Sequence, residues 1–364
     1  MAKAIVLTLQ GGGAMGSYQA GVEQALAEAG LDPNWVAGVS IGAVNAAIIA
    51  GNPPELRVQR LREFWDLVTE PSALWPSLPN REWQAALRQI SAGSAVLFGQ
   101  PGFFRPRAPL DWLSQPPPIS FYDTSELRTT LQRLVDFDRI NQPGGVRLSL
   151  GAVDVVTGNM IYFDSTQHRI GPEHIMASGA LPPGLATVEV DGRYYWDGGL
   201  VSNTPLQYVV EQKLAEPMLI FQVDLFPAHG KLPENLDEVA EREKDIRFSS
   251  RTRNSTKFAC LQRQHHADLA AFLARLPPEL QADPVAQQLK ARASPPPVDI
   301  VHLIYRPKVP QGSAKDYEFG RPTMEQRWEQ GLSDAQVTLR AAPWEKPPPG
   351  NTGVRVFDVL KDRQ

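Results

Sequence analysis

A serine between two glycines is the first candidate for chemistry in this sequence. Residues 38–42 read "GVSIG" and join the apolar run "WVAGV", which predicts a buried strand, to "IGAVNAAIIAG", which predicts a helix. A G-x-S-x-G pattern between a strand and a helix is typical of a nucleophile elbow, a sharp turn that presents a serine hydroxyl to an acyl group. The alternative is a glycine-rich turn in which Ser40 caps the helix.

A second glycine-rich loop, "GGGAMG" at Gly11 to Gly16, follows the apolar run "KAIVLTL". Its spacing matches the dinucleotide-binding fingerprint. That fingerprint also needs an acidic residue at the end of the second strand to hold the ribose, and "GVSIG" has none there. A phosphate-binding loop would continue into Gly-Lys-Ser/Thr, which is absent from the sequence here. Nucleotide binding stays an alternative, but the pattern favours a different anion.

The order strand, helix, strand places the two glycine motifs together. Strands joined by one helix are expected to be parallel, with a right-handed crossover, so both end at the same edge of a sheet. Adjacent strands lie about 5 Å apart. The backbone amides of Gly12, Gly13 and Ala14 are therefore predicted to lie beside Ser40. There they would stabilise the oxyanion that forms when a serine attacks a carbonyl group.

A serine nucleophile needs a base, and Asp197 in "YYWDGG" is the candidate. It ends the second strand of a predicted hairpin whose turn is Asp191-Gly192. Gly198 and Gly199 follow it and leave the backbone free to present the carboxylate closely. A direct aspartate base requires burial to raise its pKa, and the aromatic residues before it supply an apolar wall. The alternative is an ordinary turn aspartate.

Histidine is the usual base for serine, and the sequence contains six histidines. His302 in "DIVHLIY" would complete the chain order Ser-Asp-His, although its place inside a strand favours a structural role. None of the six lies in a glycine-rich context; they are His168, His174, His229, His265, His266 and His302.

Length and composition indicate a globular protein. Of its 364 residues, 42% are apolar and 21% charged, and the net charge of −4 does not favour nucleic acid as a partner. The single cysteine, Cys260, excludes an internal disulfide. The opening "MAKAIVLTLQ" is too short for a signal peptide, and no run reaches the roughly 20 apolar residues of a spanning helix. A cytoplasmic protein is predicted.

Alternating strands and helices predict an α/β fold for the first part of the chain. A long irregular insertion, rich in proline and aromatic residues, is expected at about residues 70–118. A further apolar strand is predicted at "PMLIFQVDLFP"; residues 234–292 are then mostly helical and charged, and "VDIVHLIYRP" predicts a late strand. We therefore predict a catalytic domain over residues 4–210 and an extension over residues 211–364 packed on it.

The three motifs in this order resemble the patatin-like phospholipase family, in a bacterial subgroup with a C-terminal extension. The resemblance implies a three-layer α/β/α sandwich with a mainly parallel sheet, and cleavage of lipid acyl esters without cofactor, metal or histidine. It assigns Ser40 as nucleophile and Asp197 as base. It assigns the oxyanion donors to Gly12, Gly13 and Ala14, and the motif glycines are Gly11, Gly16, Gly38, Gly42, Gly198 and Gly199.

The sequence departs from this family at Met15, where many members carry Arg or Lys. A further segment, "VLFGQPGFFRPRAP", sets Phe103 and Phe104 beside Arg105 and Arg107. Apolar side chains near cations suit a membrane interface, so peripheral membrane contact is predicted there. The alternative is that these aromatics cover the sheet. An acyltransferase using Ser40 and a non-catalytic lipid-binding protein also stay open, as does the oligomeric state.

Overall fold

One nine-stranded sheet organises the chain. The computed structural model describes residues 3–69, 81–212, 216–293, 296–347 and 353–361. The strands are β1 Ala4–Leu9, β2 Trp35–Val39, β3 Arg105–Pro106, β4 Tyr122–Asp123, β5 Arg147–Asp154, β6 Met160–Asp164, β7 Val188–Val190, β8 Arg193–Asp197, β9 Met218–Asp224, β10 Val298–Ile304 and β11 Val354–Phe357. β3 and β4 form a separate antiparallel pair, and the other strands share the large sheet.

The large sheet is mainly parallel, as predicted. Its order is β11-β10-β9-β1-β2-β5-β8-β7, and β6 pairs with β5. Every neighbouring pair from β11 to β5 is parallel, whereas β6, β7 and β8 run antiparallel to their partners. β1 and β2 are adjacent, with Leu9 opposite Gly38. The glycine-rich loop and Ser40 therefore leave the sheet side by side at its carboxyl edge.

Helices cover both faces of this sheet. They are α1 Ser17–Glu28, α2 Ile41–Ala50, α3 Pro54–Val68, α4 Arg81–Phe98, α5 Ser125–Leu134, α6 Phe137–Asn141, α7 Pro172–Gly179, α8 Leu206–Glu211, α9 Leu236–Leu273, α10 Pro278–Gln281, α11 Pro284–Ala293 and α12 Arg321–Ala341. Successive strand residues point to opposite faces. Val6 packs in a core with Val209 of α8 and Ala259 of α9, whereas Leu7 belongs to the core that holds Leu26 of α1. The predicted α/β/α sandwich is confirmed.

The chain after residue 210 contributes to the same sheet. β9 pairs with β1 on one side and β10 on the other. α12 packs on α1, where the Tyr18 hydroxyl bonds Asp334 at 3.0 Å and the Trp328 indole N–H donates to Gln24 at 2.6 Å. The extension is mostly helical, as predicted. The proposed division after residue 210 stays a prediction, and sheet hydrogen bonds cross it.

The predicted insertion begins in residues 70–80, which lie outside the described part of the chain. Its described part contains α4, β3 and a 3-10 helix at Pro109–Leu113. Of the helices that the structure describes, none combines the length and apolarity needed to cross a bilayer.

Candidate active site

Ser40 occupies a sharp strand-to-helix turn. It follows β2 and precedes α2 with φ 57° and ψ −125°, a conformation that non-glycine residues adopt only under strain. The flanking glycines permit the turn because no side chain would fit. A Cβ on Gly38 would lie 2.2 Å from the Gly42 carbonyl oxygen, and one on Gly42 would lie 2.3 Å from the Leu9 carbonyl oxygen. The backbone geometry is that of a nucleophile elbow.

The amide of Ser40 is held by a residue that the sequence did not reveal. It donates to the backbone oxygen and to the hydroxyl of Ser178, both at 3.1 Å. Ser178, buried in α7, in turn donates its hydroxyl proton to the Gly151 carbonyl of β5 at 2.6 Å. The strained turn is thus fixed against both the helix and the sheet.

Asp197 lies against the serine hydroxyl. It is the last residue of β8, is 1% exposed, and accepts hydrogen bonds from the Ser40 side chain and from the Gly199 amide, the latter at 2.7 Å. Burial raises the pKa of its carboxyl to about 6, although the two hydrogen bonds oppose that rise. At neutral pH the carboxyl is therefore mostly ionised and is still a stronger base than an exposed aspartate.

The glycine-rich loop presents two free amides. After β1 the chain enters a 3-10 helix at Gly13–Gly16, and Gly13 has φ 54°. Within the described residues, the amides of Gly12 and Gly13 form no hydrogen bond, so both can receive an oxyanion. The Ala14 amide, by contrast, donates to the backbone carbonyl of Asp316 at 2.8 Å. In this conformation it is not available to a substrate.

Asn203 connects the glycine-rich loop to the loop that follows Asp197. Its side-chain amide donates to the Gly11 carbonyl at 2.9 Å, and its backbone carbonyl accepts the Gly11 amide at 3.1 Å. Sequence reasoning missed it because an asparagine in a loop carries no signal of its own. The other motif glycines surround the same edge: Gly16 ends the 3-10 helix before α1, and Gly198 and Gly199 begin the 3-10 helix Gly198–Leu200.

These groups share one cavity with a volume of about 110 Å³. Ser40, Asp197 and Gly11 to Gly13 line its polar side. Its other walls are largely aromatic and aliphatic: Phe103, Phe104, Tyr122, Leu181, Leu185, Phe226, Phe248, Tyr317 and Phe319. A reactive hydroxyl and a carboxyl thus face a space suited to an apolar chain.

Within the described part of the chain, the structure does not bring a histidine to this cavity. Of the described residues that line it, none is histidine. His302 lies in β10, three strands away from β2 in the sheet, and burial lowers its pKa to about 4. The described residues also contain no group of three or more His, Cys, Asp or Glu able to hold a metal ion.

Met15 lies under the glycine-rich loop rather than over the cavity. Its side chain is fully buried, and its methyl carbon would lie 3.2 Å from a Cβ on Gly12. At this position the chain therefore uses an apolar contact to support the loop.

A mainly parallel α/β sheet with a serine in a sharp turn at its carboxyl edge is an arrangement typical of serine hydrolases. The family model described as patatin-like phospholipase matches residues 7–210, and the domain DUF3734, described as patatin phospholipase, matches residues 246–351. Because the first match spans more than half of the sequence, the chain belongs to the patatin-like phospholipase family. Membership supports a lipid ester hydrolase and implies a lipid substrate.

Two solved structures are similar to this chain at a low level. VipD from Legionella pneumophila has 13% identity and a TM-score of 0.38, over 93% of this chain and 67% of that one. The type III effector protein ExoU has 14% identity and a TM-score of 0.34, over 93% of this chain and 53% of that one. A search of curated protein sequences finds no match.

Proposed function

We propose that this protein hydrolyses acyl esters of lipids with Ser40 as nucleophile and Asp197 as the only base. The observation that carries the proposal is the hydrogen bond from the Ser40 hydroxyl to the buried Asp197 carboxyl, at the polar side of an apolar cavity. Family membership supports the lipid substrate. The cytoplasmic location and the catalytic domain over residues 4–210 are part of the same proposal.

The reaction follows from these positions. Asp197 accepts the hydroxyl proton as the Ser40 oxygen attacks the ester carbonyl, and the developing oxyanion is bound by the amides of Gly12 and Gly13. The tetrahedral intermediate collapses, the bond to the alcohol breaks, and Asp197 returns the proton to the departing alkoxide. Asp197 then deprotonates a water molecule that attacks the acyl-serine, which releases the fatty acid and restores both side chains.

The structure offers a reason for a direct aspartate base. An exposed carboxylate is a weak base toward a serine hydroxyl, whereas burial makes Asp197 more basic. The Gly199 amide orients one carboxyl oxygen, so the bond to Ser40 has a fixed direction. The aspartate thereby combines the positioning and proton transfer that a histidine and its acidic partner share in a triad.

A panel of lipid esters and a fluorophosphonate probe test the proposal. Native protein should release fatty acid and be labelled covalently, and Ser40→Ala and Asp197→Asn should lose activity by at least about 10³-fold. Asp138→Asn, an exposed carboxylate outside the cavity, is the matched control and should keep full activity. Labelling without release of fatty acid to water, but with transfer to an added alcohol, would identify an acyltransferase. No labelling of native protein would indicate lipid binding alone.

A further inference from the structure

Seven large apolar side chains are exposed on the second half of the insertion and the residues that directly follow it. Their exposed fractions range from 45% for Trp112 to 77% for Leu113. Globular proteins rarely leave so many large apolar side chains together in water unless the surface meets a partner or a membrane. We call this surface the apolar rim, and its members are Leu97, Phe98, Leu110, Trp112, Leu113, Ile119 and Phe121.

Hydrogen bonds join the segments of the apolar rim. The Tyr122 hydroxyl donates to the Val96 carbonyl at 2.7 Å, which ties the end of α4 to β4. The Arg107 amide donates to the Phe121 carbonyl at 3.1 Å, and the rings of Trp112 and Phe121 lie 6.2 Å apart. The segments that carry the exposed side chains therefore lie next to one another.

The apolar rim borders the cavity of Ser40. The Phe121 amide donates to Pro183 and the Tyr122 amide donates to Gly184, at 3.2 and 2.9 Å. Tyr122, Gly184 and the adjacent Leu185 line that cavity. A lipid in contact with the rim would need to move only a short distance to reach the serine.

The segment that the sequence predicted to contact a membrane contains two pairs of apolar residues with different exposure. Leu97 and Phe98 are strongly exposed, but Phe104 is 5% exposed and Phe103 is partly buried. Both phenylalanines line the cavity instead. The sequence pattern thus combined two roles, since the first pair lies in the rim and the second pair forms a wall of the site.

Charge near the apolar rim is balanced. Arg105 lies 3.7 Å from Asp123, and the Arg107 guanidinium donates to the backbone and hydroxyl oxygens of Ser120. Asp111 accepts the Ala108 amide at 3.0 Å. With cations and carboxylates interspersed, attraction to anionic lipid is expected to be small, and burial of apolar area would drive contact.

We propose that the apolar rim docks on the surface of a lipid bilayer and delivers substrate to the cavity. This inference rests on the proposed function, because a lipid ester hydrolase needs a source of lipid esters and a bilayer supplies them. Continuity of the rim with the cavity favours a bilayer over a protein partner. Balanced charge predicts docking on zwitterionic as well as anionic vesicles.

Vesicle co-sedimentation with full-length protein tests the docking. Native protein and Ser40→Ala should bind phosphatidylcholine vesicles equally, and phosphatidylglycerol should change binding by less than about threefold. The double variant Phe98→Ser, Leu113→Ser should bind at least about tenfold more weakly, with an unchanged melting temperature. Because the test needs no catalysis, failure of ester hydrolysis in native protein would leave its result intact.

A matched control removes equally exposed apolar groups elsewhere. Val156 and Leu232 are 87% and 89% exposed and lie outside the rim. Val156→Ser, Leu232→Ser should bind vesicles like native protein. Equal loss in both double variants, or native binding by the rim variant, would overturn the proposal. A concentration-dependent dimer that only the rim variant abolishes, without vesicle binding by native protein, would assign the rim to a second copy and overturn it as well.

Discussion

The backbone carbonyl of Asp316 accepts the Ala14 amide proton at 2.8 Å, which joins the C-terminal extension to the glycine-rich loop. The same oxygen would lie 2.2 Å from a Cβ on Gly13. The extension therefore closes directly over the loop and fixes the direction of its peptide units. The sequence predicted three amides as oxyanion donors. This contact uses the amide of Ala14, whereas, among the described residues, the amides of Gly12 and Gly13 stay free to donate.

Gly13→Ala should lower activity strongly. The added Cβ would meet the Asp316 carbonyl, and φ 54° is unfavourable for alanine, so the loop would have to move away from Ser40. We expect kcat to fall at least about 100-fold, the scale of losing one oxyanion donor. Steady-state kinetics with a lipid ester measure this.

Gly158→Ala separates conformational strain from the steric contact. Gly158 has φ 69°, with nothing within 4 Å of a Cβ. Gly158→Ala should lower the free energy of unfolding by about 1 kcal/mol and leave activity unchanged. Comparable losses of kcat in both variants would contradict the role given to the Gly13 turn.

Lys315→Met should destabilise the whole fold. The Lys315 ammonium is buried, 2.5 Å from Asp245 and 3.2 Å from Glu241, and Glu241 also accepts the amides of Gln311 and Gly312. Removing the cation leaves two buried carboxylates uncompensated, which costs about 3–5 kcal/mol. Urea unfolding followed by circular dichroism checks the value.

Arg169→Met is the control for that variant. Arg169 pairs with Asp138 at 3.2 Å, but both side chains are exposed, and such a pair contributes at most about 1 kcal/mol. If Lys315→Met unfolds at the same urea concentration as Arg169→Met, the buried ionic cluster does not anchor the segment around Asp316.

The pH dependence of kcat/KM should report Asp197. Only the ionised carboxyl accepts the Ser40 proton, and burial raises its pKa to about 6. Activity should therefore rise about tenfold per pH unit below that value and level off above it. Rates on a soluble ester across the stable pH range measure the profile, and a profile that stays level through pH 6 would contradict a base whose pKa burial raises to this value.

Asp197→Asn should be more stable than native protein at high pH. Because the folded pKa is raised, the native fold loses stability as pH rises from the unfolded value toward about 6. The amide carries no charge to desolvate, so the variant should gain about 1–3 kcal/mol at pH 8 and little at pH 4. Urea unfolding at the two pH values tests this. Asp138→Asn should show no such difference, and a gain for Asp197→Asn that is equal at both pH values would show that the carboxyl is not destabilised by ionisation.

The local sequence was enough to predict those site residues that lie directly at the end of one strand. Ser40 follows β2, Asp197 ends β8, and the loop follows β1, so strand patterns and glycines sufficed to nominate them. Ser178, Asn203 and Asp316 could not be found in this way, because they act partly through backbone atoms and approach the loops only after the sheet is assembled. The place of β9 beside β1 likewise depends on long-range packing rather than on any local pattern. The aromatic residues near Phe103 could form either the wall of the cavity or an exposed membrane-facing surface. Sequence alone does not distinguish the two, because both consist of apolar side chains.

Asn203→Ala should lower the rate of the chemical step more than substrate binding. The side-chain amide donates to the Gly11 carbonyl, which belongs to the same peptide unit as the Gly12 amide, so its loss frees that unit to rotate. We expect kcat to fall about 10- to 100-fold with a smaller change in KM, because positioning of the oxyanion donors matters most in the transition state. The rate of fluorophosphonate labelling should fall in parallel.

Asn203→Asp tests whether the donated proton is what matters. The carboxylate keeps the shape of the side chain but cannot donate to Gly11, so this variant should be as slow as Asn203→Ala. Asn159→Ala, in the exposed turn between β5 and β6, should leave both rates unchanged. If Asn203→Asp keeps native kcat while Asn203→Ala loses it, side-chain volume rather than the hydrogen bond holds the loop, and Asn203 does not position the Gly12 amide through its donated proton. If the Ala variant loses melting temperature but labels at the native rate, its effect is on folding and not on the geometry around Ser40.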